Sequence, residues 1–277
     1  MVNERLLIVN ADDYNTDPER NRGIIEAAKN GILTSASVLT NMPGLDDALR
    51  SLEQVLGARI GVHLNLTHGT PISSGAQSLI GSQGGFLQKG SSWRKALLGG
   101  YNPDEIRREW SAQIEAFLRT GRQPDHLDGN NHLHIFPGCV KICAELALQY
   151  NIRYVRLPLE PLHAPGMFGR AGLKRLFLAL LAVRARSLFR QCGLCSPERM
   201  FGIAFPDTGD PAELCRFFKK LPSGVSELMC HPGYSVPGVH LFSCAERERE
   251  LQALTSLSVR EVIIQEKIRL ISFNDMS

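Results

Sequence analysis

Residues 6–13 read LLIVNADD: four apolar residues, then Asn10, Ala11 and two adjacent acids, Asp12 and Asp13. An apolar run that short suits one buried strand, and the acids mark where it leaves the core. It is also too short and too acidic to be a secretory signal. The chain is therefore expected to open on its first strand and to reside in the cytoplasm. Seven further runs follow: SASVLTN (35–41), IGVHLNL (60–66), DHLDG (125–129), RYVRL (153–157), MFGIAF (200–205), SELMCH (226–231) and LISF (270–273). Helical patterns separate them, and that alternation implies parallel strands joined by helical crossovers. Eight strands fit a distorted α/β barrel of TIM-barrel type. No internal repeat or linker divides the 277 residues, so one domain is expected over 1–277.

Four helix starts carry capping chemistry: Asn102-Pro103 with Glu105, Asp210-Pro211 with Glu213, Ser243 with Glu246, and Ser258 with Glu261. The Gly- and Ser-rich stretch 68–92 is long for a loop inside a compact domain and reads as a lid or a substrate loop. The charge balance is mild, 31 Lys and Arg against 28 Asp and Glu, with the two signs interspersed. No nucleic-acid partner is implied. Seven cysteines, an odd number set in apolar runs, read as free thiols in a reducing compartment. Cys192-Gly-Leu-Cys195 has no second CxxC to complete a zinc site and reads as structural.

Polar residues gather where the strands end: Asp12 and Asp13, His63 and Asn65, then Asn130 and His132 after DHLDG, and His231. In a parallel α/β barrel those ends meet on one face, which is where active sites of that fold lie. An aspartate with neutral imidazoles is a normal ligand set for a catalytic divalent metal. A second carboxylate can serve as general base and a separate histidine as general acid. The segment DGNNHLHIFP (128–137) adds His132-x-His134, a pattern that points two imidazoles the same way if it lies in a strand. Asn65 and Arg156 are expected to contact substrate, although an arginine at a strand end more commonly braces an aspartate. For Asp12 and Asp13 the bland alternative is a turn or helix cap, and for His63 it is a core histidine. His68 and His126 suggest no role, and His163 and His240 read as surface loop.

VNADDYN, IGVHLNLT, DHLDGNNHLHIFPG, VRLP and ELMCHPGY, in that order over nearly the whole chain, resemble the motifs of the YdjC-like carbohydrate deacetylases. That group includes diacetylchitooligosaccharide deacetylases and hopanoid-associated deacetylases. The resemblance implies a distorted barrel and metal-dependent removal of acetyl groups from N-acetylated sugars. It places Asp13 and His63 as metal ligands, Asp12 as general base and His231 as general acid. Where the family reads Asp-Ser/Gly-His-x-His-x-His and uses the first histidine as a ligand, this chain has Asn130. His132 and His134 match the second and third. Asn130 could ligate through its carbonyl oxygen, favouring Mg²⁺, with Mn²⁺, Co²⁺ or Zn²⁺ as alternatives. Otherwise His132 or Asn131 substitutes, or the site is a silent sugar-binding barrel. His134 comes after these, as a partner orienting His132, a ligand, or a structural residue. A phosphoesterase is the third class considered; no Gly-rich phosphate loop or arginine cluster lies near the motifs. Residues 172–191, GLKRLFLALLAVRARSLFRQ, read first as a barrel helix buried on one side, and second as an interfacial helix on anionic lipid. Their uncharged run of eight residues is far short of the roughly 20 a bilayer span needs. A homodimer through an exposed helix face stays open.

Overall fold

The computed structural model describes residues 4–161, 169–236 and 244–276. Its strands are β1 (Arg5–Tyr14), β2 (Ser35–Val38), β3 (Ile60–Leu64), β4 (His126–Gly129), β5 (Tyr154–Val155), β6 (Arg199–Phe201), β7 (Gly224–Cys230) and β8 (Arg269–Leu270). The helices are α1 (Pro18–Asn30), α2 (Leu45–Leu56), α3 (Lys89–Leu97), α4 (Pro103–Leu118), α5 (Val140–Gln149), α6 (Gly169–Gln191), α7 (Pro211–Lys219), α8 (Ala245–Thr255) and α9 (Leu257–Gln265). Every strand pairing is parallel, in the order β5-β4-β3-β2-β1-β7-β6. All eight expected strands form, yet the ring they make is distorted. β8 touches only Leu6 and Leu7 of β1, so β1 pairs directly with β7 and the curled sheet ends at β5 and β6. A single bridge from Tyr154 to Cys195 extends the β5 edge.

Period-two alternation decides what faces inward. On β1, Leu7, Val9 and Ala11 join the main core under the helices, while Ile8 joins a small cluster with Tyr154, Ile271, Phe273 and Met276. Asn10 and Asp12 continue the Ile8 face. His126 stacks on Phe273 with ring centroids 3.8 Å apart. The interior is thus apolar where β1 begins and polar where it ends, and burying each leucine or isoleucine there contributes about 1.5–3 kcal/mol.

The caps fall partly as expected. Asn102 and Asp210 accept from Asp104 N and Ala212 N. Asp17, ahead of Pro18, caps α1 by accepting from Arg20 N. The cap of α9 is Ser256, two residues before the expected Ser258, and its side chain bonds no helix amide. α8 begins after Cys244; Ser243, His163 and His240 lie outside the described residues. The 68–92 stretch is pinned and does not hang free. Glu109 accepts from Ile72 N and from Ser73 N and Oγ, Glu105 accepts from Ser78 N, and α3 starts at Lys89. Cys195 pairs its backbone with Arg153 and Val155, which gives the CxxC segment a structural place.

One close approach positions the chain after β7. Gly233 N donates to Arg247 O and Tyr234 N to Glu19 O, which lays the His231-Pro232-Gly233 turn against α1 at Gly23. A Cβ on Gly23 would fall on the Gly233 backbone. Gly23→Ala is expected to cost about 1–3 kcal/mol by overpacking. Thermal melting checks this, and an unchanged midpoint would show that the turn can move aside.

Candidate active site

Asp12 and Asp13 reach the same cavity because the strand alternation breaks between them. The register of β1 against β2 shifts between Ala11 and Tyr14, and Asp13 takes a left-handed backbone, φ 64°. The left-handed residue, and not simple strand alternation, sets the directions of the two carboxylates. Across the sheet, His63 on β3 pairs in register with Asp128 on β4, and His63 Nδ1 lies 2.7 Å from Asp128 Oδ1. That contact aims His63 Nε2 at Asp13 Oδ1, 3.3 Å away, and at Asp12 Oδ2, 3.9 Å away. Burial pulls the His63 pKa down, but the charges of Asp128 and Asp12 and the bonds to Asp128 and Asp13 outweigh it and raise it to about 10. Asp13 stays well below the usual carboxylate range: burial pushes it up, and the bond to His63 and the nearby Arg20 charge more than reverse that.

Behind the acids lies Arg156, wholly buried. It donates to both oxygens of Asp12 at 2.7 and 2.6 Å, contacts Asp128 Oδ2 at 2.6 Å, and donates to Glu227 Oε1 at 2.7 Å. Asn65 is equally buried. Its side chain donates to Asn41 and to His68 O and accepts from Thr67 N and His68 N. Neither residue lines the cavity, so the expected substrate contact does not fit their placement. Their donors hold the site and the loop behind it.

The HxH segment also differs from the strand picture. Residues Asn130–Ile135 form a 3₁₀ turn in which Asn131 and His132 are left-handed, φ 53° and 60°. His132 faces the cavity, while His134 Nε2 lies 3.0 Å from Arg156 O at a fully buried position. His132 Nδ1 is buried without a hydrogen-bond partner, and burial, with the charges of Lys174 and Arg156, holds the ring well below 6.5. Asn130 Nδ2 donates to Asp13 Oδ1 at 2.7 Å. Its Oδ1 accepts from Thr67 Oγ1 and from Asn131 Nδ2. His231 follows β7, its amide donating 2.9 Å to Glu250 Oε2. Burial first and Arg247 second lower its pKa to about 4.

Asp12, Asp13, His63, Asn130, His132 and His231 thus surround one cavity of about 630 Å³. Three cations absent from the sequence-based site also line it: Lys89, Lys174 and Arg247. Burial, with Lys89 beside it, lowers Lys174 to about 8.

Residues 6–265 match the profile described as YdjC-like protein. The chain belongs to the YdjC-like family. Among its relatives, a human protein named "Carbohydrate deacetylase" is 33% identical, over 98% of this chain and 90% of its own length. A protein of the same name from Clostridium beijerinckii is 29% identical, over 98% of this chain and 99% of its own. A crystal structure from Enterococcus faecalis V583, provisionally described as a cellobiose-phosphate cleavage protein, superimposes with a TM-score of 0.78. It is 26% identical and the match covers 98% of both chains.

This YdjC-like chain has a donor set that suits a divalent cation. Among the described residues, Asp12, His63 and Asp128 offer donor atoms within 4.8 Å of one another. Asp128 is already spent on His63, Ser37 and Arg156. The free side of His63, its Nε2 toward Asp13, is the better half of a metal site. A proton kept on that imidazole by surrounding carboxylates stands where a cation would serve the same charge. The third donor is less ready, since Asn130 must turn its amide over to present oxygen beside Asp13.

Two measurements follow from this geometry. Arg156→Met leaves Asp12, Asp128 and Glu227 buried without their cation and is expected to cost about 3–5 kcal/mol, read by denaturant unfolding. In chelator-treated protein, the folded value of His63 lies above the ordinary 6.5. Its stabilisation is therefore complete below pH 6.5 and is lost as pH rises through about 10. Asp128→Asn should flatten that part of a melting-temperature profile; an unaltered profile would remove His63 as its source.

Proposed function

We propose that this chain is a divalent-cation-dependent carbohydrate deacetylase, splitting N-acetylated sugars into acetate and a free amino sugar. The observation that carries this reading is the convergence of Asp12, Asp13, His63 and His231 on one cavity, in a chain whose full-length relatives bear the deacetylase name. A bound cation would be held by Asp13 and His63, with Asn130 as an oxygen donor, and would polarise the acetamide carbonyl and acidify a water. A carboxylate and an amide oxygen favour Mg²⁺, with Mn²⁺, Co²⁺ and Zn²⁺ as alternatives.

The remaining work falls to the chain. Asp12 has both oxygens fixed by Arg156, so it accepts the proton of the attacking water without reorienting. His231 is neutral at rest because burial and Arg247 hold it near 4. Negative charge developing on the oxygen of the tetrahedral intermediate raises its proton affinity. It then takes up the proton that Asp12 removed from the water and delivers it to the departing nitrogen, so that acetate and the free amine leave with Asp12 ionised and His231 neutral again.

Acetate release from N-acetylglucosamine oligosaccharides with added Mg²⁺ tests the reading. Asp12→Asn and His231→Gln are each expected to lower the rate by about 10²–10⁴-fold. Elemental analysis should find the ion in the wild type and not in Asp13→Ala. Asn130 favours one rival, because its amide donates to Asp13 in place of offering oxygen: saturable sugar binding without acetate would identify a silent binding barrel. Phosphate release from aryl phosphates would move the site to phosphoester chemistry, for which Lys89, Lys174 and Arg247 supply the positive charge that the sequence order concealed.

A further inference from the structure

Helix α6 has two apolar faces where a barrel helix needs one. Leu178, Ala182, Ala185 and Phe189 are buried against the body of the protein. On the other side Leu173, Leu176, Leu180 and Val183 are 68%, 37%, 62% and 58% exposed. Their spacings of three, four and three residues put them in one stripe. A lone exposed leucine needs no explanation; four along one helix do. A groove of about 290 Å³ runs beside them, walled by Leu176, Leu180 and Val183 together with Leu159 and Pro161, and lined as well by the Glu198–Arg199 ion pair, which carries no net charge.

The charges around the stripe indicate what covers it. Arg184 and Arg190 are exposed on the same side further along the helix, and α6 contains no acidic residue. A second copy of this chain would set one basic helix against another. At the other end, Lys174, next to Leu173, lines the cavity that holds Asp12 and His63. The apolar stripe therefore begins beside the cavity wall.

We propose that α6 docks this protein on an anionic lipid bilayer surface, with the leucine stripe at the acyl boundary and Arg184 and Arg190 against the headgroups. The cavity beside it then receives the acetylated sugar of a lipid-anchored substrate. Only that last clause rests on the deacetylase reading. No helix among the described residues is long and apolar enough to cross a membrane, so the contact is peripheral.

Co-sedimentation of the full chain with vesicles of phosphatidylcholine, alone or with phosphatidylglycerol, tests the docking. Wild type should pellet with the anionic vesicles and be released by salt. Leu180→Asp combined with Val183→Asp should weaken binding about tenfold or more, and Arg184→Gln with Arg190→Gln should weaken it while sparing the stripe. Acetate release from a soluble oligosaccharide should be unchanged in both variants, and release from a lipid-anchored N-acetyl sugar should fall. Wild type left in the supernatant with both vesicles overturns the proposal, as does a leucine-stripe variant that binds like wild type. So does self-association in light scattering that the stripe variant abolishes while vesicle binding is absent, which would assign the stripe to a second copy. Vesicle binding as expected, with no acetate from either substrate, would sink the deacetylase reading and leave the docking standing.

Discussion

The polar interior depends on one guanidinium. Arg156 follows β5, and its planar fork reaches Asp12 on β1, Asp128 on β4 and Glu227 on β7. Only an arginine presents enough rigid donors to satisfy three carboxylates at once with its charge intact. Burying any of those acids alone would cost several kcal/mol. With the guanidinium in place, both oxygens of Asp12 are held in position, and Asp128 in turn holds His63. Glu227 is pushed up by burial, an effect its contact with Arg156 only partly offsets. The site is thus supported from behind, by residues that no ligand touches.

The dependence explains which parts of the molecule were legible from sequence. Strands such as LLIVN and IGVHLNL declare themselves by short apolar runs, and parallel connection carries their polar ends to one face. That is why Asp12, Asp13, His63 and His231 could be grouped across more than two hundred positions. The geometry of His132 and His134 could not be read, because two successive left-handed residues, Asn131 and His132, turn a strand-like pattern into a 3₁₀ turn. That an arginine at a strand end braces an aspartate is a reading the sequence allows; that Arg156 holds Asp12, Asp128 and Glu227 together shows only in the folded chain. Asn65 misled for a related reason: its position beside His63 suggested substrate, whereas its amide serves the turn at 65–70.

The cationic rim was invisible for a different reason. Lys89 opens α3, Lys174 sits early in α6 and Arg247 lies in α8, each among ordinary surface charges in the sequence. Only the folded chain places them around an acidic centre. The cavity wall thus carries charges of both signs. An acetylated sugar carrying an anionic group would be oriented by that field before any hydrogen bond forms.

The barrel interior also contains two imidazoles that occupy space vacated by glycine. A side chain on Gly61 would collide with the ring of His126, and one on Gly129 with the ring of His134. Each ring therefore needs its glycine, and each glycine is tolerable in a strand only because a ring fills the gap beside it. Such residues cannot drift independently. Among relatives that keep this packing, Gly61 should change only together with His126, and Gly129 only together with His134. These two couplings would identify the interior layer without reference to catalysis.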